Sequence, residues 1–313
     1  NEQMAAAREK VNKAAGTGRL FAHMIFTPGQ PGWLDQLDAG LALKPESVKG
    51  YTVGDNTHKE ISRYPWRMDD EKVAYKGYEK MLKAGVKNVC VHKGLFSPGV
   101  EKQFPNLRGY ADVADVGQAA KDWPQLNFII YHAAYRHVGG DPKVALAEFT
   151  RTGRIAWTSD LADIPGQYGL NNVYGDVGQL FATTLIAEPN VCAALMGILV
   201  RGLGVDHVCW GTDAVWTGSP QWQIEGLRRL EIPQAMQKQH GFKPLGGATG
   251  PVKTAIFGGN NARLYNINPE RAANAIAHDR FSSIKLAYEA AGSSRSNLRY
   301  GYVTGPVNPA VFA

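Results

Sequence analysis

The chain has 313 residues, of which 44% are hydrophobic, so it can bury one large core or two medium ones. It carries no apolar run of membrane-spanning length, and its net charge of +6 comes from Lys and Arg scattered among acidic residues. With no basic run or RNA-binding aromatic motif, that balance argues against nucleic acid and for steering of anionic small molecules.

The elements follow one another in a repeating phrase. Residues 1 to 15 read as a helix ended by Gly16 and Gly18, then residues 19 to 26 as an apolar strand broken at Pro28-Gly29. Trp33 to Leu43 reads as a short helix, and Ser47 to Val53 as a second strand followed by a polar loop through Trp66. Asp69 and Asp70 offer N-caps to a helix whose Ala74, Tyr78, Met81 and Leu82 share one face, with Gly85 as its stop. Val86 to Val91 is then a strand running into His92. The phrase repeats: a helical face at Val113, Val116, Gly117 and Ala120, a stop at Trp123-Pro124, and a strand from Leu126 to Tyr131 that runs into His132.

A third copy places a short strand at Asn171 to Asp176, an amphipathic helix from Pro189 to Leu203, and a strand from Asp206 that delivers Asp213. Helices are expected over 220–240, 251–264 and 270–291, before a Gly/Ser/Asn/Pro-rich tail suited to wrapping the surface or a neighbouring subunit. Strands apolar throughout, joined by helices, predict a parallel sheet buried on both faces, as a barrel or an open doubly wound sheet. Glycine-rich dinucleotide or phosphate loops and a Gly-x-Ser-x-Gly elbow are lacking. Cys90, Cys192 and Cys209 lie in apolar stretches without CxxC spacing and read as small core residues.

Three strands thus end in His92, His132 and Asp213, and in a barrel all three would face one mouth. Two imidazoles and a carboxylate suit a divalent ion, Zn²⁺ foremost, with an open position for water. His23 lies inside its strand and reads as a packing or supporting residue.

The segments Val89 to Gly94, Trp123 to His132, Trp210 to Asp213, and Ile256 to Tyr265 together resemble the amidohydrolase superfamily, specifically its aminocarboxymuconate-semialdehyde decarboxylase-like branch. The resemblance implies a (β/α)8 barrel over residues 1–268 followed by a helix and tail over 269–313. It implies His92 as metal ligand, His132 as ligand or proton shuttle, and Asp213 as ligand and base for a metal-bound water. Lys49, on the family's fourth strand, is a contact for a substrate anion, and Arg136 and Trp216 are candidate walls of the substrate pocket. The implied reaction is hydrolysis of a C–N or C–O bond. The alternatives are non-oxidative decarboxylation of an unsaturated or aromatic acid, or a non-catalytic barrel acting as an interaction subunit. The family's His-x-His strand does not occur in the sequence and is expected upstream of Asn1. A homo-oligomer is expected from the resemblance, and the compartment is left open.

Overall fold

The computed structural model describes residues 1–54, 63–137 and 141–292. Six strands form one parallel sheet in strictly sequential order: β1 (His23–Phe26), β2 (Ser47–Tyr51), β3 (Asn88–His92), β4 (Asn127–Tyr131), β5 (Val173–Asp176) and β6 (Val208–Cys209). Helices cross between them, including Trp33–Ala42, Ala74–Lys83, Val116–Asp122, Thr158–Tyr168 and Pro189–Gly202. Each crossover moves one strand further in the same direction, which is barrel order, and six of the eight expected strands lie within the described residues.

Two apolar layers follow from the period-2 alternation along the strands. Val89, Val91, Phe128, Ile130 and Val173 point outward into the main core against the helices, where Tyr78, Met81, Leu195 and Leu199 are fully buried. Each such side chain contributes about 1.5–3 kcal/mol by leaving water. Their alternates Cys90, Ile129, Tyr174 and Cys209 face inward and form a separate, smaller cluster. The three cysteines are buried and unpaired in disulfides, as expected.

Both outer edges of the sheet are met by side-chain amides. On β1 the Ile25 amide donates to Asn1 Oδ1 at 2.8 Å. On β6 Asn260 Nδ2 donates to the carbonyls of Val205 and Val208 at 2.8 and 2.7 Å, and Asn261 Nδ2 to that of Trp210 at 3.0 Å. These contacts satisfy backbone groups that another strand would otherwise take. They also explain why β6 is only two residues long: the Trp210 amide turns away to the Ile256 carbonyl at 3.1 Å. The expected strand to Asp213 therefore stops four residues early.

Other boundaries shift for local reasons. The expected 270–291 helix is two helices, Pro269–Ala277 and Arg280–Ala290, because Asp279 caps the second through the Ser282 amide while pairing with Arg19. The 220–240 helix likewise divides into Gln221–Arg229 and Gln234–His240, the latter entered through Pro233. The tail expected after Gly292 lies outside the described residues. Among the described residues, no helix is long and apolar enough to cross a membrane.

Candidate active site

The inward rows of β2 to β5 converge at the strands' carboxyl ends. Register places Lys49 beside Cys90, Tyr51 beside His92, and His92 beside Tyr131. Because Cys90 is small, the Lys49 ammonium reaches across it and sits 3.4 Å from the Tyr131 ring centroid. The Tyr51 ring centroid lies 5.2 Å from the same ammonium, and that ring stacks on His92 at 4.8 Å. Burial pushes the Lys49 amine down to about 8, against the pull of nearby Asp176 and Asp213.

His92 and His132 meet directly, Nδ1 to Nε2 at 3.1 Å, and His132 Nδ1 lies 2.9 Å from the Gly178 carbonyl. A carbonyl only accepts, so His132 carries its proton on Nδ1 and its Nε2 accepts from His92 Nδ1–H. That tautomer leaves His92 Nε2 with a lone pair and no partner among the described residues. Burial lowers His132 to about 4, and burial with the neighbouring imidazole holds His92 well below the usual imidazole range, so both rings are neutral near pH 7.

The backbone that presents them is strained. His132, Ala133 and Ala134 take φ of 59°, 40° and 54°, three successive non-glycine residues in the left-handed region. Each costs roughly 1–2 kcal/mol there. The turn is braced by Gly94, whose φ is +77° and whose missing Cβ would stand 2.4 Å from the Ala134 carbonyl carbon. Beside His92, Lys93 is fully buried and pairs with buried Asp115 at 2.7 Å, while donating to the Tyr110 carbonyl. This pair ties the end of β3 to the loops that flank it.

Asp213 departs from expectation. It is not a strand terminus but the residue before the short helix Ala214–Thr217, with φ of 53° and no side-chain cap bond. Burial raises its carboxyl above the ordinary carboxylate range, with Lys49 pulling it back. It lines a cavity of about 400 Å³ together with His132, Asp176, His23 and Tyr131, along the open side of the sheet between β1 and β6. Among the described residues, no group of three His, Cys, Asp or Glu side chains lies close enough to hold a metal ion. The donors present are two imidazoles already bonded to each other, so the expected His92, His132 and Asp213 set does not fit a divalent ion as arranged.

Arg136 pairs with Glu101 and lies over the Trp157 ring at 5.0 Å, and Trp216 is 71% exposed. Neither lines the 400 Å³ cavity.

Three further residues belong to the site. Asp176 closes β5 as His92 closes β3, a signal present in the sequence, and burial raises it to about 6 while the Gly178 amide holds it back. Tyr51 follows Lys49 by two and so shares its face. His23 is the third: its Nδ1 lies 2.5 Å from Ser47 Oγ and its Nε2 3.2 Å from the Tyr131 hydroxyl. Ser47 Oγ also accepts from Tyr265 at 3.5 Å, so the serine proton points to His23 and His23 Nε2–H to Tyr131. The chain of bonds fixes the ring on which Lys49 rests.

The amidohydrolase family model matches residues 48–267, more than half of the chain. No curated relative matches it. Among solved structures, a 5-carboxyvanillate decarboxylase from Sphingomonas paucimobilis overlays with a TM-score of 0.46 at 16% identity, over 85% of this chain and 71% of that one. An amidohydrolase from Burkholderia multivorans with bound HEPES gives 0.46 at 14%, over 85% and 80%. A dihydroxybenzoic acid decarboxylase from Polaromonas sp. JS666, with bound manganese and 2-nitroresorcinol, gives 0.43 at 15%, over 85% and 74%.

Proposed function

The chain belongs to the amidohydrolase family, and from that premise we propose that it hydrolyses a C–N or C–O bond of a small organic carboxylate, with Lys49 holding the carboxylate and His92 serving as base. The observation that carries this reading is the setting of Lys49. Its ammonium is flanked by the Tyr131 and Tyr51 rings, and no carboxylate among the described residues lies within 4 Å. An ammonium so placed gains a charge-assisted contact when an anion arrives. The carboxylate is then a handle, whose binding energy positions a bond elsewhere in the substrate.

His92 Nε2 takes a proton from the attacking water. As the ring becomes cationic, its Nδ1–H bond to His132 strengthens, and His132 in turn leans on the Gly178 carbonyl. The protonated ring returns that proton to the departing amine or alcohol, so the reaction closes as bond plus water gives acid plus H–X. Asp213 is the competing base. The divalent ion implied by the resemblance enters no step, because the described donors do not assemble around one.

Decarboxylation is the second reading, supported by Asp176, a buried acid raised to about 6 that lines the 400 Å³ cavity and can protonate a carbon as CO₂ leaves. The test is turnover of carboxylate-bearing amides and esters alongside CO₂ release from aromatic acids, with and without added Zn²⁺ or Mn²⁺. His92→Gln is expected to lose about 10²–10⁴ in kcat and Asp213→Asn less than about tenfold. The reverse order transfers the base to Asp213, and CO₂ release without hydrolysis moves the chemistry to the second reading.

A further inference from the structure

A second cavity, of about 220 Å³, opens at the carboxyl ends of β1 and β2, and Lys49 is part of its wall. The rest of the wall includes Ile25, Pro28, Tyr51, Tyr64 and Trp66, with no carboxylate among the described residues. Ile25 stands directly across from Lys49 in the register and is 56% exposed, an apolar side chain with one face uncovered. Trp66 is locked in place: its Nε1 donates to the Tyr51 carbonyl at 2.9 Å, and its ring packs edge-on to Phe26 at 5.4 Å.

The two cavities differ in charge. The 400 Å³ cavity carries Asp176 and Asp213 and no lysine or arginine, and Lys49 is not in its lining: the Tyr131 ring belongs to that wall, with the ammonium against it. A carboxylate entering there would face two acids. Among the described residues, the 220 Å³ cavity offers one cation and otherwise apolar or neutral walls. Its volume lies below the roughly 300–1,000 Å³ of pockets that take drug-sized ligands.

We propose that this smaller cavity is the binding site for the organic body of the substrate, so that the chain selects monocarboxylates with a small uncharged body, of single-ring or short branched or unsaturated kind. Dicarboxylates and amine-bearing acids are disfavoured, because a second charge would lie against Ile25, Pro28 and Trp66 with no partner among the described residues. The inference rests on the reading of Lys49 as the carboxylate anchor. It goes beyond that reading in saying which cavity the remainder enters and what chemistry it has.

The experiment is a ligand-observed NMR titration of the full chain, which needs no turnover, using benzoate, acetate, benzylamine and 2-naphthoate as probes. Benzoate is expected to bind and benzylamine not to. Lys49→Met is expected to lose both benzoate and acetate. Ile25→Trp, which fills the cavity from an exposed position, is expected to weaken benzoate by about tenfold or more while leaving acetate unchanged. Ile25→Ala, which needs no extra space to fold, is expected to admit 2-naphthoate that the unsubstituted chain rejects.

If Lys49→Met keeps benzoate, the anchor is wrong and the inference falls with it. If Lys49→Met loses benzoate but both Ile25 variants bind all probes as the parent does, the anchor stands and the cavity assignment is overturned. Loss of benzoate on Phe21→Trp instead, a residue lining the larger cavity, would place the body there. No benzoate binding to the unsubstituted chain overturns both.

Discussion

Lys49 brings a positive charge into the space between two tyrosine rings, and what holds it there is a chain of neutral groups. The Tyr131 face attracts the ammonium, and the hydroxyl of that same ring is held by His23, itself held by Ser47. The two contributions can be separated. Tyr131→Phe keeps the face and loses the hydroxyl bond, and is expected to cost about 1 kcal/mol of stability in urea unfolding while carboxylate binding stays within about threefold. Tyr131→Leu removes the face as well and is expected to weaken carboxylate binding by a further amount worth about 1–2 kcal/mol. Equal binding losses in the two variants would mean that the hydroxyl, not the ring face, sets the position of Lys49. His23 was legible only as a packing or supporting residue, because its partners sit on β2 and β4. A strand's own alternation gives the side of the sheet, whereas the partner across it depends on register.

The end of β4 and the turn after β3 form one braced unit, and their backbones make opposite demands. Gly94 occupies a left-handed position with no room for a methyl group, whereas Ala133 occupies one that a glycine would fill without strain. Gly94→Ala is expected to destabilise the fold by more than about 2 kcal/mol, the left-handed cost plus a backbone clash. Ala133→Gly should relieve about 1–2 kcal/mol of strain against roughly 0.5–1 kcal/mol of lost chain entropy, a net gain of up to about 1.5 kcal/mol. A loss of stability in Ala133→Gly would show that the turn is not strained. This unit also marks how far the sequence could be read. His92 and His132 were found as strand ends because apolar runs lead into them. Asp213 was misplaced as one because the run Asp206 to Asp213 looks equally extended. What ends β6 early is the pair Asn260 and Asn261, some fifty residues further along, and no local pattern reveals such a partner. The helix Thr158–Tyr168 has no counterpart among the expected elements, and Pro165 lies in its interior, where a proline ordinarily interrupts a helix.

At the scale of the whole molecule, the sheet gathers several titratable groups into its interior, and their shifts oppose one another. Burial lowers His23 and His132 to about 4 from an ordinary 6.5, and raises Asp176 to about 6 from 3.8. On acidification below about pH 6.5, the unfolded chain protonates both histidines while the folded chain does not. Each one lowers stability by about 1.4 kcal/mol per pH unit until its folded value near 4 is reached. Asp176 has the opposite sign. Between about pH 6 and 4 the folded chain holds a proton that the unfolded chain has released, so this group adds stability as the pH falls. His92, which burial also holds well below the usual imidazole range, adds to the histidine side, so Asp176 offsets only part of the decline, by about 1.4 kcal/mol per pH unit across that window. Asp176→Asn removes the opposing group and is expected to steepen the decline between pH 6 and 4 by about 1.4 kcal/mol per pH unit in urea unfolding followed by circular dichroism. An unchanged slope would mean that Asp176 is ionised in the folded chain throughout that range. The acid supply required for decarboxylation would then be lost, leaving the hydrolytic reading as the one consistent with the charge of the site.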